Sequence, residues 1–298
     1  MERLECTLET RGRIFRFGSR TWIMGVLNVT PDSFSDGGLF IDAGPAAARA
    51  QEMLAEGADI IDVGGESTRP GAAPVDEREE LRRVAPVIQR LRKETDALIS
   101  VDTAKSAVAA AALDQGADIV NDISALRFDP LMASTVARER AALILMHMQG
   151  TPETMQVRPR YGDVVAEVRD FLKERLEAAA KAGIPAGQVI VDPGIGFGKT
   201  AEHNLALIDG LGALARLGRP VLVGVSRKGF LGRILDRPVG DRLEGTIAAA
   251  VLSADRGAHI LRVHDVGAVR RAAAVADAVR TRTIAAPASV EGKPPYVC

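Results

Sequence analysis

The regular alternation of short apolar runs with longer amphipathic segments constrains this chain more than any other feature. The runs are rich in β-branched residues and the intervening segments are rich in alanine, which is the pattern of repeated βα units around a parallel sheet. Eight runs occur along the chain: Trp22–Thr30, Asp59–Ser67, Leu98–Thr103, Ile119–Ser124, Ala142–Gln149, Val189–Ile195, Pro220–Ser226 and Ile260–His264. Eight such units predict an α/β fold, a closed (β/α)8 TIM barrel.

Three of the predicted helix-to-strand joints share one local sequence. They read Gly57-Ala58-Asp59-Ile60, Gly116-Ala117-Asp118-Ile119 and Gly257-Ala258-His259-Ile260. A glycine at such a joint can adopt the left-handed conformation that ends a helix before the chain turns into a strand. The recurrence favours one repeated architecture. An open doubly wound sheet is the alternative, but its usual smaller number of strands would leave two of the runs without a place.

The two ends of the chain differ from its middle. Leu4–Arg20 alternates weakly around glycines, which predicts a short β-hairpin that caps the bottom of the barrel. Ala285–Cys298 holds three prolines and shows no hydrophobic period, which predicts a flexible, disordered tail. We therefore divide the chain into a capping hairpin at 1–20, a barrel at 21–283 and a tail at 284–298.

Composition excludes several classes of protein. The formal net charge is −1, from 38 basic and 39 acidic residues, so no global field attracts a nucleic acid or an anionic membrane. No stretch is long and apolar enough to cross a bilayer and the N-terminus lacks an apolar secretory core, which predicts a cytoplasmic protein. The two cysteines, Cys6 and Cys298, lie at opposite ends and predict two free thiols.

Polar residues stand at the end of nearly every predicted strand, where apolar residues would be expected in a purely structural barrel. In chain order they are Asn28, Glu66-Ser67-Thr68-Arg69, Asp102, Asn121-Asp122, His147, Asp192, Ser226-Arg227-Lys228, and Arg262 with His264. A single aspartate or asparagine at such a place is often a helix cap. The carboxyl ends of all barrel strands meet at one rim, however, so these side chains predict one shared pocket.

The cations among these residues indicate an anionic ligand. Lys228, Arg262 and His264 lie at or near predicted helix N-termini, where the helix dipole disfavours positive charge. Capping does not explain them. A bound anion would resolve the conflict.

A glycine-rich loop, Asp192-Pro193-Gly194-Ile195-Gly196-Phe197-Gly198-Lys199-Thr200, ends like a nucleotide-binding P-loop. The P-loop pattern requires a glycine where this loop has Pro193, which also lacks the backbone N–H that a phosphate cradle uses. The glycine spacing does not fit a Rossmann fingerprint either. Neither a P-loop nor a nicotinamide site is predicted.

Covalent catalysis and a structural zinc site are also disfavoured. Gly224-Val225-Ser226-Arg227-Lys228 is not a nucleophile elbow, and no cysteine lies near the predicted rim. The four histidines show no metal-ligand spacing. His203 and His259 are interpreted as surface or capping residues.

Five separated motifs carry a resemblance to a known family. Ile23–Gly38 (IMGVLNVTPDSFSDGG) and Gly64–Gly71 (GGESTRPG) are similar to the two signatures of the dihydropteroate synthases. Asp192–Thr200 (DPGIGFGKT), Ser226–Phe230 (SRKGF) and Arg262–Asp265 (RVHD) follow in the order typical of that family. The resemblance implies a (β/α)8 barrel that condenses 6-hydroxymethyl-7,8-dihydropterin diphosphate with 4-aminobenzoate. The products would be 7,8-dihydropteroate, a folate precursor, and pyrophosphate.

The resemblance also implies roles for particular residues. The group expected to bind the pterin is Asp102, Asn121, Met146, Asp192, Lys228 and Arg262. The group expected to bind the diphosphate is Asn28, Thr68, Arg69, Arg262 and His264, with Asn28 also a ligand of Mg²⁺. The group expected to line the 4-aminobenzoate pocket is Phe34, Pro70, Phe197 and Gly229. The residues expected to act in catalysis are Asp36, Arg69 and Lys228.

The residues fit this chemistry on their own terms. Two carboxylates, an amide and an ammonium can pair the donors and acceptors along a pterin edge. Departure of diphosphate before attack by the arylamine, an SN1-like route, needs no side-chain nucleophile, which agrees with finding none. The loops at 31–38 and 69–71 are interpreted as lids.

One position departs from the family pattern. Many members carry a serine directly after the motif lysine, where its hydroxyl can bind the benzoate carboxylate, whereas this chain has Gly229. Backbone N–H groups at the following helix start offer a substitute. We expect retained activity with altered affinity for 4-aminobenzoate.

Two alternatives stay open. A pterin-dependent methyltransferase would share Asp102, Asn121 and Asp192 but has no diphosphate to hold, and the GGESTRPG and SRK motifs argue against it. A non-catalytic pterin-binding paralogue could keep the fold and lose the lid chemistry, which the presence of Asn28, Asp36 and Arg69 disfavours. The family further implies sulfonamide inhibitors and a homodimer as partners.

Overall fold

The structure is a computed structural model and describes residues 3–29, 43–67 and 75–283. A two-stranded antiparallel hairpin comes first, formed by β1 (Cys6–Thr10) and β2 (Arg13–Phe17). An eight-stranded parallel sheet follows. Its strands are β3 (Trp22–Asn28), β4 (Ile60–Gly64), β5 (Leu98–Asp102), β6 (Ile119–Asp122), β7 (Ala142–Met146), β8 (Val189–Asp192), β9 (Leu222–Val223) and β10 (Ile260–Val263).

Helices separate the strands of the sheet. In the described part of the chain they are α1 (Ala43–Ala55), α2 (Glu77–Glu94), α3 (Ser106–Asp114), α4 (Met132–Glu139), α5 (Val164–Lys181), α6 (Ala201–Asp209), α7 (Leu211–Ala215), α8 (Gly229–Leu235), α9 (Leu243–Asp255) and α10 (Val266–Thr281). A short 3₁₀ helix, Ala186–Gln188, precedes β8. None of these helices is both long enough and apolar enough to span a bilayer.

The sheet closes on itself. Its strand order is β8-β7-β6-β5-β4-β3-β10-β9, and a parallel bridge between Val191 and Val221 joins the two ends of that order. The Val191 N–H also donates to the Pro220 carbonyl at 3.0 Å. The predicted (β/α)8 barrel is therefore confirmed, and the open doubly wound sheet is excluded.

Burial on both faces explains the composition of the strands. Every residue of β4, β5 and β7 is buried, because helices cover the outer face while side chains fill the interior. The helices are amphipathic. In α2 the buried residues Val84, Val87, Ile88 and Leu91 follow the helical period, and the carboxylate of Asp76 caps the helix by accepting from the Glu79 N–H at 2.8 Å.

The N-terminal hairpin covers the bottom of the barrel, as predicted. Leu8 and Phe17 are buried against residues that begin the strands, including Met24 and Leu98. Thr10 ties the hairpin to the sheet, because its hydroxyl accepts from the Ala142 N–H at 3.0 Å. The barrel interior is therefore closed at this end. The division at residues 20 and 283 stays a prediction, and the predicted tail at 284–298 lies outside the described residues.

The three repeated joints share one hydrogen-bond arrangement. Asp59 and Asp118 each accept from the first N–H groups of a neighbouring strand, from Ile23 at 2.9 Å and from Ile99 at 3.0 Å. His259 does the same through Nδ1, which accepts from the Val221 N–H at 3.1 Å. The interpretation of His259 as a surface residue is therefore wrong, because it is 1% exposed, whereas its capping function is confirmed.

The regular strands end earlier than the predicted runs. β8 ends at Asp192 rather than Ile195, and β7 ends at Met146 rather than Gln149. The backbone leaves the ladder where polar side chains and positive-φ glycines begin, for example Gly194 at φ 65°. The polar residues thus lie at the strand ends or in the loops just beyond.

Candidate active site

A cleft opens at the carboxyl ends of the strands, where the active sites of this fold lie. Its walls include all six residues that the family resemblance assigns to the pterin: Asp102, Asn121, Met146, Asp192, Lys228 and Arg262. They come from β5, β6, β7, β8, the loop after β9, and β10. Closing the barrel brings them together, although Asp102 and Arg262 are 160 positions apart.

The floor of the cleft is an arginine held between two carboxylates. Nε of Arg262 donates to Asp62 Oδ2 at 2.6 Å, and one of its terminal nitrogens donates to Asp102 Oδ2 at 2.7 Å. Asn121 donates to the same oxygen of Asp62 at 3.2 Å. The guanidinium plane and the Asn121 amide are therefore fixed before any ligand arrives.

In each of these two carboxylates, one oxygen takes no part in these hydrogen bonds. Asp62 Oδ1 and Asp102 Oδ1 are buried, and neither has a hydrogen-bond partner among the described residues. Burial raises the pKa of Asp102 to about 7, with the nearby charge of Arg262 opposing the rise and Asp62 adding to it. A buried oxygen without a donor is costly. Asp102 lines the cleft, so its Oδ1 is suited to accept an N–H group from a ligand.

Asp192 is the last residue of β8, and Lys228 lies in the loop after β9. Asp192 Oδ1 accepts from the Gly194 N–H at 2.7 Å, and burial raises the pKa of the carboxyl to about 6. Burial lowers the pKa of Lys228 to about 8, helped by the positive charge of Arg262. The Lys228 ammonium lies 4.3 Å from the centre of the Phe197 ring, a cation–π distance. An acceptor and a donor thus face the cleft side by side.

The residues expected at the diphosphate and aminobenzoate sites are less tightly grouped. Asn28 ends β3 opposite Gly64, and a Cβ built on Gly64 would lie 3.8 Å from the Asn28 amide oxygen and 3.6 Å from Asp102 Cβ. His264 follows β10, and its Nδ1 lies 3.0 Å from the hydroxyl of Ser226. Gly229 begins α8 with nothing within 4 Å of a built Cβ. Of Asn28, His264 and Gly229, Asn28 is therefore the residue placed near Asp102.

Five further residues of the expected sites fall outside the described part of the chain. They are Asp36, Thr68, Arg69, Phe34 and Pro70. Their assignments stay predictions. Both of the interpreted lids, 31–38 and 69–71, lie in the same two gaps.

Two residues of this region are missing from the sequence-based expectations. Asp62 is fully buried inside β4. An aspartate within an apolar run is unusual, and this feature of the sequence could have marked it as a candidate site residue. Lys199 resembles the end of a failed P-loop, but its ammonium lies 2.8–3.3 Å from four protein acceptors. The rejection of the P-loop agrees with this geometry, because the lysine is engaged inside the protein.

The charges in the cleft suit a flat, polar heterocycle better than a metal cluster. No group of three or more histidines, cysteines, aspartates or glutamates with metal-binding geometry occurs among residues 3–29, 43–67 and 75–283. Any metal here would take most of its ligands from a bound molecule and water, as Mg²⁺ commonly does. The Asn28 amide oxygen is a hard donor of the right kind.

Comparison with known proteins agrees with this geometry. The family described as pterin binding enzyme matches residues 24–264. A dihydropteroate synthase of Synechocystis sp. is 49% identical over 267 residues, which are 89% of this chain and 92% of the relative.

Solved structures of similar proteins share the fold. The dihydropteroate synthase of Yersinia pestis with a sulfonamide drug complex has a TM-score of 0.86 at 42% identity, covering 93% of this chain and 100% of that one. That of Xanthomonas albilineans with 4-aminobenzoic acid has a TM-score of 0.86 at 47% identity, covering 93% and 99%.

Proposed function

The chain belongs to the pterin-binding dihydropteroate synthases, and from that premise we propose how its cleft condenses 6-hydroxymethyl-7,8-dihydropterin diphosphate with 4-aminobenzoate. The observation that carries the proposal is the unpartnered, buried Oδ1 of Asp102, which shares the cleft with the carboxyl of Asp192 and the ammonium of Lys228. This set can pair with the row of donors and acceptors along a reduced pterin edge.

Each polar group has a role toward the pterin. Asp192 accepts from the 2-amino group and the adjacent ring N–H, and Lys228 donates to the ring carbonyl oxygen. Asn121 has its amide nitrogen 3.2 Å from Asp62, so its oxygen is the part that the ligand would meet. Oδ1 of Asp102 accepts a further N–H. Met146 packs against the flat ring, since polarizable sulfur suits an aromatic face.

Arg262 stacks its guanidinium on the pterin and extends toward the diphosphate. Two of its nitrogens already bind Asp62 and Asp102, which orient the plane. Burial lowers the pKa of Arg262, but the two carboxylates outweigh that effect and hold its pKa above the ordinary value. A permanently charged, preoriented plane can stabilise the negative charge of the departing group without reorganising.

The diphosphate would bind at the rim beside Arg262, with Asn28, Thr68, Arg69 and His264 as further partners. Mg²⁺, when bound, would neutralise the diphosphate and ease its departure, held by Asn28 among the protein residues. The single oxygen donor of Asn28 next to the carboxylate pair fits an ion that takes its other ligands from substrate and water.

The reaction proceeds by dissociation. The bond between the pterin methylene carbon and the diphosphate oxygen breaks, and its electron pair leaves with the diphosphate. The amine lone pair of 4-aminobenzoate then forms the new C–N bond, and the nitrogen loses a proton. The protein positions the partners and excludes water, with Lys228 holding the ring and with Asp36 and Arg69 near the reacting carbon and the departing phosphate.

The 4-aminobenzoate would lie beside Phe197, with Phe34 and Pro70 completing the pocket. Phe197 lines the cleft and contacts Lys228, so the aminobenzoate would approach the pterin along that side. The open space around Gly229 leaves room for the carboxylate near the start of α8. Sulfonamides, as aminobenzoate mimics, should compete with this substrate and not with the pterin.

The direct test is an incubation of the protein with the pterin diphosphate, 4-aminobenzoate and Mg²⁺, with pyrophosphate release followed over time. We expect release that depends on both substrates. Tight pterin binding without product would instead support a non-catalytic pterin-binding protein. Methyl transfer from a methylated pterin, with no pyrophosphate released, would support the methyltransferase alternative.

We also propose a homodimer formed through α9 and α10. These helices pack side by side and expose Leu252 (49%), Val275 (66%) and Val279 (74%) along one groove. A contiguous apolar surface of this kind is typical of a subunit interface. Sedimentation should give a dimer, and Val279→Glu should shift it toward monomer. A cytoplasmic location stays a prediction.

A further inference from the structure

Lys199 is a buried lysine without a part in the reaction described above. It is 4% exposed, and its ammonium donates to the carbonyls of Phe197 at 2.8 Å, Gly194 at 3.0 Å and His147 at 3.3 Å. Nδ1 of His147 lies 3.0 Å away as a fourth acceptor. Burying an ammonium is costly unless it is fully hydrogen-bonded, so these four acceptors are what retain it.

The acceptors belong to two separate pieces of chain. Gly194 and Phe197 lie in the loop between β8 and α6, whereas His147 directly follows β7. Lys199 therefore links the loop to the residue that follows β7. The loop carbonyls only accept hydrogen bonds, so they need a donor such as this ammonium.

The backbone of the loop fits its neighbour too closely to tolerate another arrangement. Gly194 and Gly198 have φ values of 65° and 62°, and a Cβ on them would come within 2.0 Å of the His147 carbonyl oxygen and 2.7 Å of the Gln149 carbonyl oxygen. Only glycine permits this approach. The close contact brings the loop carbonyls within reach of the lysine.

Several titratable and charged groups surround the Lys199 ammonium. His147 is packed edge-on against Phe171, with ring centres 4.8 Å apart, and burial lowers the pKa of His147 to about 3, so the ring is neutral and Nδ1 can accept. Burial lowers the pKa of Lys199 to about 7, while the charge of Asp192 favours the ammonium and that of Lys228 opposes it. Arg127 faces His147 from the loop after β6.

The fastened loop carries a wall of the cleft. The backbone carbonyl of Phe197 binds Lys199, while its ring lines the cleft and lies 4.3 Å from the Lys228 ammonium. Gly196 in the same loop adjoins the Lys228 side chain, since a Cβ there would lie 3.0 Å from Lys228 Cδ. Moving the loop would therefore displace Phe197 first.

We propose that Lys199 is a positioning residue that sets the place of Phe197 and thereby the affinity for the arylamine substrate. This inference rests on the proposed function, in which Phe197 lines the aminobenzoate pocket. Asp102, Asn121 and Arg262 lie on other strands of the sheet, so the pterin site should depend much less on the lysine.

The test compares two Michaelis constants in Lys199→Met, which keeps the length of the side chain and removes its three donors. We expect the KM for 4-aminobenzoate to rise about tenfold or more, since small displacements of a positioning group have large effects, and the KM for the pterin diphosphate to change much less. A purely structural role would lower the active fraction, and hence kcat, without changing the ratio of the two constants. An unchanged ratio, or a parallel rise of both constants, would overturn the proposal.

If Lys199→Met does not fold, two variants of His147 test the same positioning role. His147→Asn keeps an acceptor near the position of Nδ1, and His147→Leu removes it. The asparagine variant should retain a near-normal KM for 4-aminobenzoate and the leucine variant should not. Equal values would contradict the proposal.

Two controls complete the design. Lys173→Met removes an exposed lysine of α5 and should leave both constants unchanged. A wild-type protein that releases no pyrophosphate would instead refute the proposed function, and this inference with it.

Discussion

Aspartates occur at both ends of this barrel, but their hydrogen-bond partners differ. At the bottom, Asp59 and Asp118 use their oxygens on arginines and on strand N–H groups. At the top, Asp62 and Asp102 each leave one buried oxygen without a partner among the described residues. The same residue type stabilises the fold at one end and is held ready for a ligand at the other.

The pairing at the bottom is close to complete. Asp118 accepts from the Ile99 N–H at 3.0 Å and from Arg92 at 3.1 Å, and Arg13 lies 3.5 Å from its other oxygen. Such a carboxylate contributes to folding because its charge is compensated by hydrogen bonds and opposite charge.

The top face carries an energetic cost instead. Burial raises the pKa of Asp102 and Asp192 and lowers the pKa of Lys228, so each group resists its charged form in the free protein. A ligand that pairs with these groups would relieve the cost. Strain and unpaired polar groups of this kind concentrate at functional sites.

The largest effect is expected at the top, for Lys228→Met. This change removes the donor to the pterin carbonyl and the cation facing Phe197. We expect kcat/KM for the pterin diphosphate to fall about 10- to 150-fold, as the loss of a charged hydrogen bond of about 1.5–3 kcal/mol implies. The melting temperature should not fall, because a buried cation is removed. A large loss of stability with normal kinetics in the folded fraction would place Lys228 with the structural residues.

One substitution made at both ends compares them directly. Asp192→Asn should weaken pterin binding by about 1–3 kcal/mol, because an amide nitrogen then meets ligand donors. Its effect on stability should be small, since the amide oxygen can still accept from Gly194. Calorimetric titration with a pterin would measure the loss, and near-normal affinity would remove Asp192 from the site.

Asp118→Asn is the matched variant at the bottom. It weakens the ion pair with Arg92, and the new amide NH2 would face a donor that Asp118 now accepts from. We therefore expect about 1–3 kcal/mol lower stability and an unchanged KM for either substrate. Denaturant unfolding gives the stability and pyrophosphate release gives the kinetics. A changed pterin KM in this variant would break the division between the two ends.

The dependence on pH should separate the two ends as well. In the unfolded chain an aspartate ionises near 3.8, whereas Asp192 in the folded protein holds its proton until about pH 6. Between these values the unfolded state binds fewer protons, so the contribution of Asp192 to stability falls as pH rises. Asp192→Asn lacks this decline, and its melting temperature should therefore gain on the wild type between pH 4 and pH 6.

Catalytic efficiency, unlike stability, should increase as the pH rises from the acidic side. Pterin binding needs the carboxylates of Asp102 and Asp192 ionised and Lys228 protonated. The value of kcat/KM for the pterin diphosphate should rise through pH 6–7 and fall above about pH 8. A flat profile across this range would contradict the assigned groups.

The smallest effect is expected for Gly229→Ser. A serine there meets no atom within 4 Å, so stability should change little. Its hydroxyl could bind the benzoate carboxylate, and we expect the KM for 4-aminobenzoate to fall a few-fold, as one added hydrogen bond of about 0.5–1.5 kcal/mol implies. An unchanged KM would show that the carboxylate does not bind near the start of α8.

The sequence predicts the barrel well because strands buried on both faces leave continuous β-branched runs, as in β4 and β7. It also predicts the cleft residues, since a polar residue at a strand end is conspicuous. It misses Asp62, which lies inside a strand and acts only through partners that are distant in the chain. Lys199 is missed for a similar reason, because its acceptors are mostly backbone carbonyls, which leave no mark on the sequence.

Pairing of His259 with Val221 is likewise invisible before folding. A histidine replaces the aspartate of the other two joints, and only the structure reveals that its ring nitrogen takes over the same hydrogen bond.

A crystal structure with the bound dihydropterin diphosphate tests the central claim most directly, through the distances from the ring to Asp192, Lys228 and Asp102. The account predicts hydrogen-bond distances from the pterin edge to all three, with Oδ1 of Asp102 no longer unpartnered. A pterin bound elsewhere, or one whose edge faces solvent while these groups remain unchanged, would contradict it.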